Sequence, residues 1–201
     1  MKCKTVFIGG TSAVGQSLRR YFLDAEYLSS KQFDVTRPKD YDADIVVNLA
    51  AITQDNDLSQ FNILTSKSLA VNCLGAINTL AIFLPGMRQR KYGRIIFMSS
   101  IYSVINIRGQ GVYSASKAFV DKLIQVAALE NAQYGITVNS IQLGYTGVGM
   151  GDVSDDLKQK ALSKTGLKRF VTPKEIADTI NYIISTEYLT GQNILLGGCV
   201  K

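Results

Sequence analysis

The chain contains no histidine and no tryptophan, and its few cysteines, Cys3, Cys73 and Cys199, stand in no CxxC spacing. Without imidazole and without paired thiols, a zinc site or a His-assisted nucleophile is excluded as the main chemistry. No apolar run reaches bilayer-spanning length, so no membrane is expected as a partner. The opening Met-Lys-Cys-Lys-Thr-Val-Phe-Ile-Gly-Gly places glycines directly after a few apolar residues. It reads as a first strand and turn, not a secretory signal, and a cytoplasmic location follows as an expectation. A basic stripe interleaved with aromatics is also missing: the net charge is +6, but Lys and Arg are scattered. The densest group, Arg88, Arg90, Lys91 and Arg94, falls where a helix should end and where cations complement the dipole. No nucleic-acid partner is expected; an anionic cofactor or substrate accounts better for the excess.

With 201 residues, 46% of them hydrophobic and 19% charged, the chain has the length of one well-buried domain, 1–201. Short apolar strands alternate with amphipathic helices, which predicts an α/β doubly wound parallel sheet. Lys4 to Ile8 is a strand, followed by Gly9-Gly10-Thr11-Ser12-Ala13-Val14-Gly15 and a helix with Leu18, Tyr21 and Phe22. Glycines between a first strand and a helix allow backbone N–H groups to approach a pyrophosphate, making Gly9, Thr11, Ser12, Ala13, Val14 and Gly15 candidate cofactor ligands. Glu26 to Ser29 reads as the second strand. Its end, where a carboxylate would grip a ribose diol, is Ser29-Ser30-Lys31; hydroxyls and an ammonium there suit a 2′-phosphate and favour NADP(H), with NAD(H) still possible.

Only Ser30 to Gln32 separate the second strand from Phe33-Asp34-Val35-Thr36. A parallel crossover needs about a dozen residues, so this segment is expected to be an extended, vestigial third strand in a sheet of about six. Asp44 to Ala51 is a buried strand, Leu69 to Met87 a long helix with Val71, Leu74, Ile77, Leu80, Ala81 and Leu84 on one side, and Ile136 to Leu143 a further strand. Gln54 to Thr65 is polar and irregular. Gly147 to Leu167 is glycine-rich, then charged, and reads equally as a lid or as a mobile connection. Pro173 opens a helix to Ser185, and Gln192 to Leu196 is the last strand.

The most informative stretch is Gly93 to Lys117: a strand, Ser100, a glycine-bearing loop, then a helix carrying Tyr113 and Lys117. Tyr and Lys four apart share one helix face. An ammonium beside a phenol favours the phenolate, so Tyr113 becomes a candidate acid or base with its pKa drawn toward neutrality.

This order and spacing resemble the active-site segment of the short-chain dehydrogenase/reductase family, and the likeness runs along nearly the whole chain. The contraction around Phe33 to Asp42 looks like that of the deoxysugar-nucleotide reductases, a distant branch. The resemblance implies a Rossmann-type fold, a nicotinamide cofactor, and hydride transfer to or from a small carbonyl or alcohol substrate: a sugar, a 3-oxoacyl thioester or a small ketone. It implies that Tyr113 moves the proton, that Ser100 hydrogen-bonds the reacting oxygen, and that Lys117 lowers the Tyr113 pKa and holds the ribose. Asn72, in Val71-Asn72-Cys73-Leu74-Gly75, would bend its helix and hold a relay water. Asp34 and Val35 would frame the adenine, Asn48 would be a strand-end hydrogen-bonder that stabilises the sheet on the cofactor side beside Ala50, and Gly144 and Thr146 would reach the nicotinamide. The chain departs from the family pattern at Ile8, Ala13, Leu49, Ala51, Leu143 and Val148. A family homodimer or homotetramer is expected through the helices from Leu69 and from Tyr113, whose apolar surface exceeds what one sheet face covers. A catalytically silent, cofactor-sensing protein of the same fold is the alternative reading.

Overall fold

The structure, a computed structural model, describes residues 3–53, 57–59, 63–148 and 154–200. Six strands, β1 (Thr5–Ile8), β2 (Glu26–Leu28), β3 (Ile45–Asn48), β4 (Gly93–Ser100), β5 (Ile136–Leu143) and β6 (Asn193–Leu196), form one parallel sheet in the order β2-β1-β3-β4-β5-β6. The order reverses between β1 and β3, which opens a crevice at their carboxyl ends, where ligands bind in such sheets.

The strands are apolar on both faces because both are covered. Val6, Ile8, Val46, Ile95, Phe97, Ile136 and Val138 pack under α3 (Gly75–Arg90) and α4 (Gly111–Asn131). Their neighbours of opposite parity, Phe7, Val47, Ile96, Met98, Ile141 and Leu143, pack on the other face against α1 (Ala13–Leu18) and α6 (Pro173–Ser185). A further helix, α2 (Ile63–Leu69), leads into α3, and α5 (Asp155–Ser163) lies in the segment before α6.

Three expectations are corrected. Phe33 to Thr36 forms no strand. Asp34 instead accepts from the Thr36 amide at 2.9 Å and hydroxyl at 2.8 Å, an Asx-turn that folds the short link while Phe33 and Val35 stay buried under α3. The long helix buries Ala76, Thr79, Leu80, Phe83 and Met87 against the sheet, leaving Leu74 and Ile77 exposed. Gly75 sets that seating, since a Cβ there would lie 2.7 Å from Val35 Cγ2. Finally, one described helix, Thr65–Arg90, is long and apolar enough in composition to cross a bilayer. Lys67, Asn72 and Asn78 break its apolar run in sequence, and its composition reflects a helix apolar on two sides, one of them seated on the sheet.

The cations grouped in sequence near Arg88 also separate. Arg90 binds Asp42 and Asp44, whereas Arg94 lies buried in β4 and donates to the carbonyls of Gly93 and Gly135.

Candidate active site

At the switch point, β1 is followed by Gly9, whose φ of 77° and close approach to the turn after β3 require glycine: a Cβ would lie 2.9 Å from the Ala50 nitrogen. Ser12 caps α1, accepting from the Gly15 amide at 3.1 Å. The amides of Ala13 and Val14 are then the donors of that first turn without an intrahelical acceptor. A cleft of about 750 Å³ runs from here, lined by Gly9, Thr11, Ser12, Ser30, Asp34, Val35, Ala50 and, beyond the expected set, Thr36, Arg37, Ile52, Lys67, Ala70 and Val71.

Several expected residues lie elsewhere. Lys31 is exposed and does not line the cleft, while Ser29 donates its hydroxyl to Gln32 Oε1 at 2.9 Å. Asn48, by contrast, has the expected strand-end bonding: it ties β3 to α3, donating to Thr79 Oγ1 at 2.9 Å and accepting from the Ala50 amide at 2.8 Å. Gly144 packs against the Leu196 carbonyl, and the Thr146 hydroxyl accepts from the Val148 amide at 3.2 Å. Of the Gly147 to Leu167 segment, residues 149–153 lie outside the described residues.

The helix leading into α3 contains one π-helical turn, Ala70–Leu74. Such turns insert a residue and often occur at functional sites. This one presents Asn72, which is buried. Asn72 accepts from the Ile52 amide at 2.8 Å and donates to the Ile52 carbonyl and to Ser116 Oγ, each at 2.9 Å. Both amide hydrogens are used, so the side chain clamps the cleft wall at Ile52 to α4, one residue before Lys117.

Ser100 ends β4 and caps the following 3₁₀ turn, Ile101–Ser103. Its side chain hydrogen-bonds Tyr113 in the first turn of α4. Burial pushes the Tyr113 phenol above its ordinary pKa, and the Ser100 bond works the other way. This reverses the expected direction. Desolvation is the cause, and Lys117, whose Nζ is 5.6 Å from the Tyr113 ring centroid, donates to the Met98 carbonyl at 2.7 Å. Burial pushes Lys117 down to about 8, opposed by Asp121 and Cys73. Two rings that sequence reasoning missed lie beside Tyr113: Tyr102 meets it edge-on, centroids 6.1 Å apart, and Tyr145 packs against Tyr102 at 6.2 Å. No spacing rule would have found them, because they come from different loops.

A doubly wound sheet with a glycine turn at its switch point and a Ser-Tyr-Lys cluster beside the crevice defines a Rossmann-type α/β domain. The family model described as enoyl-(acyl carrier protein) reductase matches residues 31–199. The chain belongs to the short-chain dehydrogenase/reductase family. It is 36% identical over 159 residues to a 3-oxoacyl-(acyl-carrier-protein) reductase of Staphylococcus epidermidis, an alignment covering 77% of this chain and 65% of that protein. The chain thus spans just under two thirds of the length of that relative. In fold it is similar to a 3-oxoacyl-(acyl-carrier protein) reductase from Brucella melitensis, with TM-score 0.88 and 21% identity, covering 98% of this chain and 91% of the other. It is likewise similar to ElxO in an NADP-bound structure, with TM-score 0.83 and 20% identity, covering 98% of each chain.

Proposed function

We propose that the chain is an NAD(P)-dependent reductase of carbonyl substrates, working with NADP(H), and that its substrates belong to the 3-oxoacyl thioester class. The observation that carries the reading is the meeting of Ser100, Tyr113 and Lys117 beside a cleft whose wall Asn72 clamps to their helix. The substrate class is supported by the name of the Staphylococcus relative, and the cofactor by the bound ligand of ElxO.

The residues present fit the cofactor. Gly9, Thr11 and Ser12 of the capped glycine turn line the cleft where a pyrophosphate would sit, Asp34 and Val35 would flank the adenine, and Ser30 and Arg37 line it without a carboxylate at the end of β2, the position that would reject a 2′-phosphate. When bound, the nicotinamide supplies or accepts the hydride. Tyr113 gives its proton to the substrate oxygen during reduction and takes it back in the reverse direction. Ser100 donates a hydrogen bond to that oxygen, and Tyr102 and Tyr145 exclude water from one side of it. Lys117 supplies positive charge beneath the phenol. Both Asn72 amide hydrogens are committed to Ile52 and Ser116, so the side chain has no N–H left to hold a relay water.

The test is oxidation of NADPH, followed by absorbance, with a panel of 3-oxoacyl thioesters, keto-sugars and small ketones, alongside fluorescence titration of the cofactor. Tyr113→Phe is expected to lower kcat/KM by about two to four orders of magnitude with cofactor affinity nearly unchanged. Turnover by Tyr113→Phe at the wild-type rate would sink the assignment. Tight cofactor binding with no reduction across the panel would favour the cofactor-sensing alternative.

A further inference from the structure

This inference rests on the reductase reading and concerns Asp121, which that reading leaves unused. Tyr113, Lys117 and Asp121 stand four apart on α4, one stripe facing β4 and β5. Asp121 is 6% exposed. Its Oδ1 accepts from the Ser140 hydroxyl at 2.9 Å, and its Oδ2 from the Gln142 amide at 2.7 Å. Ser140 and Gln142 are alternate residues of β5, so both side chains leave the same face. Gln142 also donates to Ser103 Oγ at 3.0 Å, and Ser103 gives its own proton to the Ser100 carbonyl at 2.8 Å. A continuous hydrogen-bonded path therefore joins Asp121 to the backbone that carries Ser100. Its donors are neutral, whereas a carboxylate removed from water gains most from a cation, and the buried ammonium that interacts with it is Lys117.

We propose that Asp121 is a positioning residue of the site: its carboxylate keeps Lys117 charged in a buried seat and, through Gln142 and Ser103, holds the backbone that presents Ser100 to Tyr113. Lys117 faces Tyr113 and Asp121 from its own helix, Cys73 from the π-turn, and the neutral Met98 carbonyl and Ser99 from β4. Asp121 faces neutral Ser140 and Gln142 from β5, with Asn193 of β6 behind Ser140. Burial pushes the Cys73 thiol up, so it supplies no anion at neutral pH in place of Asp121.

Two readouts test this. In protein carrying carbon-13-labelled lysine, the Lys117 resonance, assigned by its loss in Lys117→Met, should titrate near 8 in the wild type. In Asp121→Asn it should titrate about one unit lower or more. The alkaline arm of kcat/KM for carbonyl reduction should move to lower pH with it. Gln142→Leu keeps the charge and cuts the path: the Lys117 titration should stay, while kcat falls roughly ten- to a hundredfold through misplacement of Ser100. Should Asp121→Asn fail to fold, Asp121→Ser, smaller and equally uncharged, takes its place. An unmoved Lys117 titration overturns the proposal, as does a moved titration with an unmoved alkaline arm, or Gln142→Leu turning over at the wild-type rate. The titration needs no turnover, so a wild type that reduces no carbonyl overturns the reductase reading while the Lys117 shift is still read on its own.

Discussion

Burying Lys117 works against folding at neutral pH. Its pKa falls from 10.5 to about 8 on folding, so between these values the unfolded chain binds more protons than the folded one, and raising the pH stabilises the protein. The shift corresponds to about 3 kcal/mol, of which roughly 1 kcal/mol is set against the hydrogen bond to the Met98 carbonyl that a neutral replacement gives up. Lys117→Met should therefore be more stable than wild type by about 1–2 kcal/mol near pH 7 in urea unfolding, and lose that advantage as the pH rises from 8 to 10.5, while activity collapses. A pH-independent difference would show that Lys117 is not the titrating group. Selectivity between cofactors belongs to the same scale. Arg37 lines the cleft beside Ser30 and Lys31 does not. Since a charge-assisted contact contributes roughly 1.5–3 kcal/mol, Arg37→Glu should weaken NADPH binding about 10- to 100-fold and spare NADH. Lys31→Glu should do much less, and the opposite ranking in fluorescence titration would return the selectivity to the β2 terminus.

Among the elements, α6 shows how local sequence is cashed into stability. Thr172 accepts from the Glu175 amide at 3.2 Å, Glu175 accepts from the Thr172 amide at 2.8 Å, and Pro173 occupies the first turn, where its missing N–H costs nothing. Arg169 closes the arrangement with contacts of 2.9 and 2.6 Å to the Glu175 carboxylate. Together, Arg169 first and then Thr172, they hold the Glu175 carboxyl down to about 2. Its contribution is therefore present above about 4.5 and is lost as the pH falls through about 2. Thr172→Ala should lower stability by about 1 kcal/mol and the melting temperature by roughly 2–4 °C in calorimetry. An unchanged melting temperature would mean that α6 is held by its buried Ile176, Ile180 and Ile183 alone. The π-turn is the contrasting element. Nothing in Val-Asn-Cys-Leu-Gly dictates it locally; it follows from Asn72 reaching both Ile52 and Ser116 while Gly75 settles on Val35.

For the whole molecule, the outer side of α2, the π-turn, α3 and α4 carries exposed Leu69, Leu74, Ile77, Phe119, Val126 and Leu129. The sheet-facing stripes are already satisfied, so these side chains are available for a second copy, and a homodimer or homotetramer through these helices is the expected assembly. Leu74→Glu combined with Ile77→Glu should shift the wild-type oligomer to a monomer in sedimentation equilibrium at micromolar concentration, with the fold retained in circular dichroism. A wild type already monomeric there would remove the case for this interface.

The doubly wound class, the glycine turn, the Ser100, Tyr113 and Lys117 spacing and the Pro173 to Ser185 helix were legible in the sequence, because each depends on residues near one another in the chain: apolar periodicity, a cap, a helical turn. The helix from Pro173 to Ser185 has those same limits in the structure. Other features depend on what meets across the sheet. The chemistry of Ser29 to Lys31 points to a 2′-phosphate, but the turn at Asp34 brings Arg37, not Lys31, to the cleft. Tyr113 beside Lys117 suggests a lowered phenol pKa, yet burial raises it, because desolvation is a property of the packed site and not of the spacing. Tyr102 and Tyr145 converge from separate loops, and Asp121 finds its partners on β5, an element distant in sequence. Local patterns specify which groups the chain offers to the chemistry; long-range packing sets their solvent, their neighbours and so their charge.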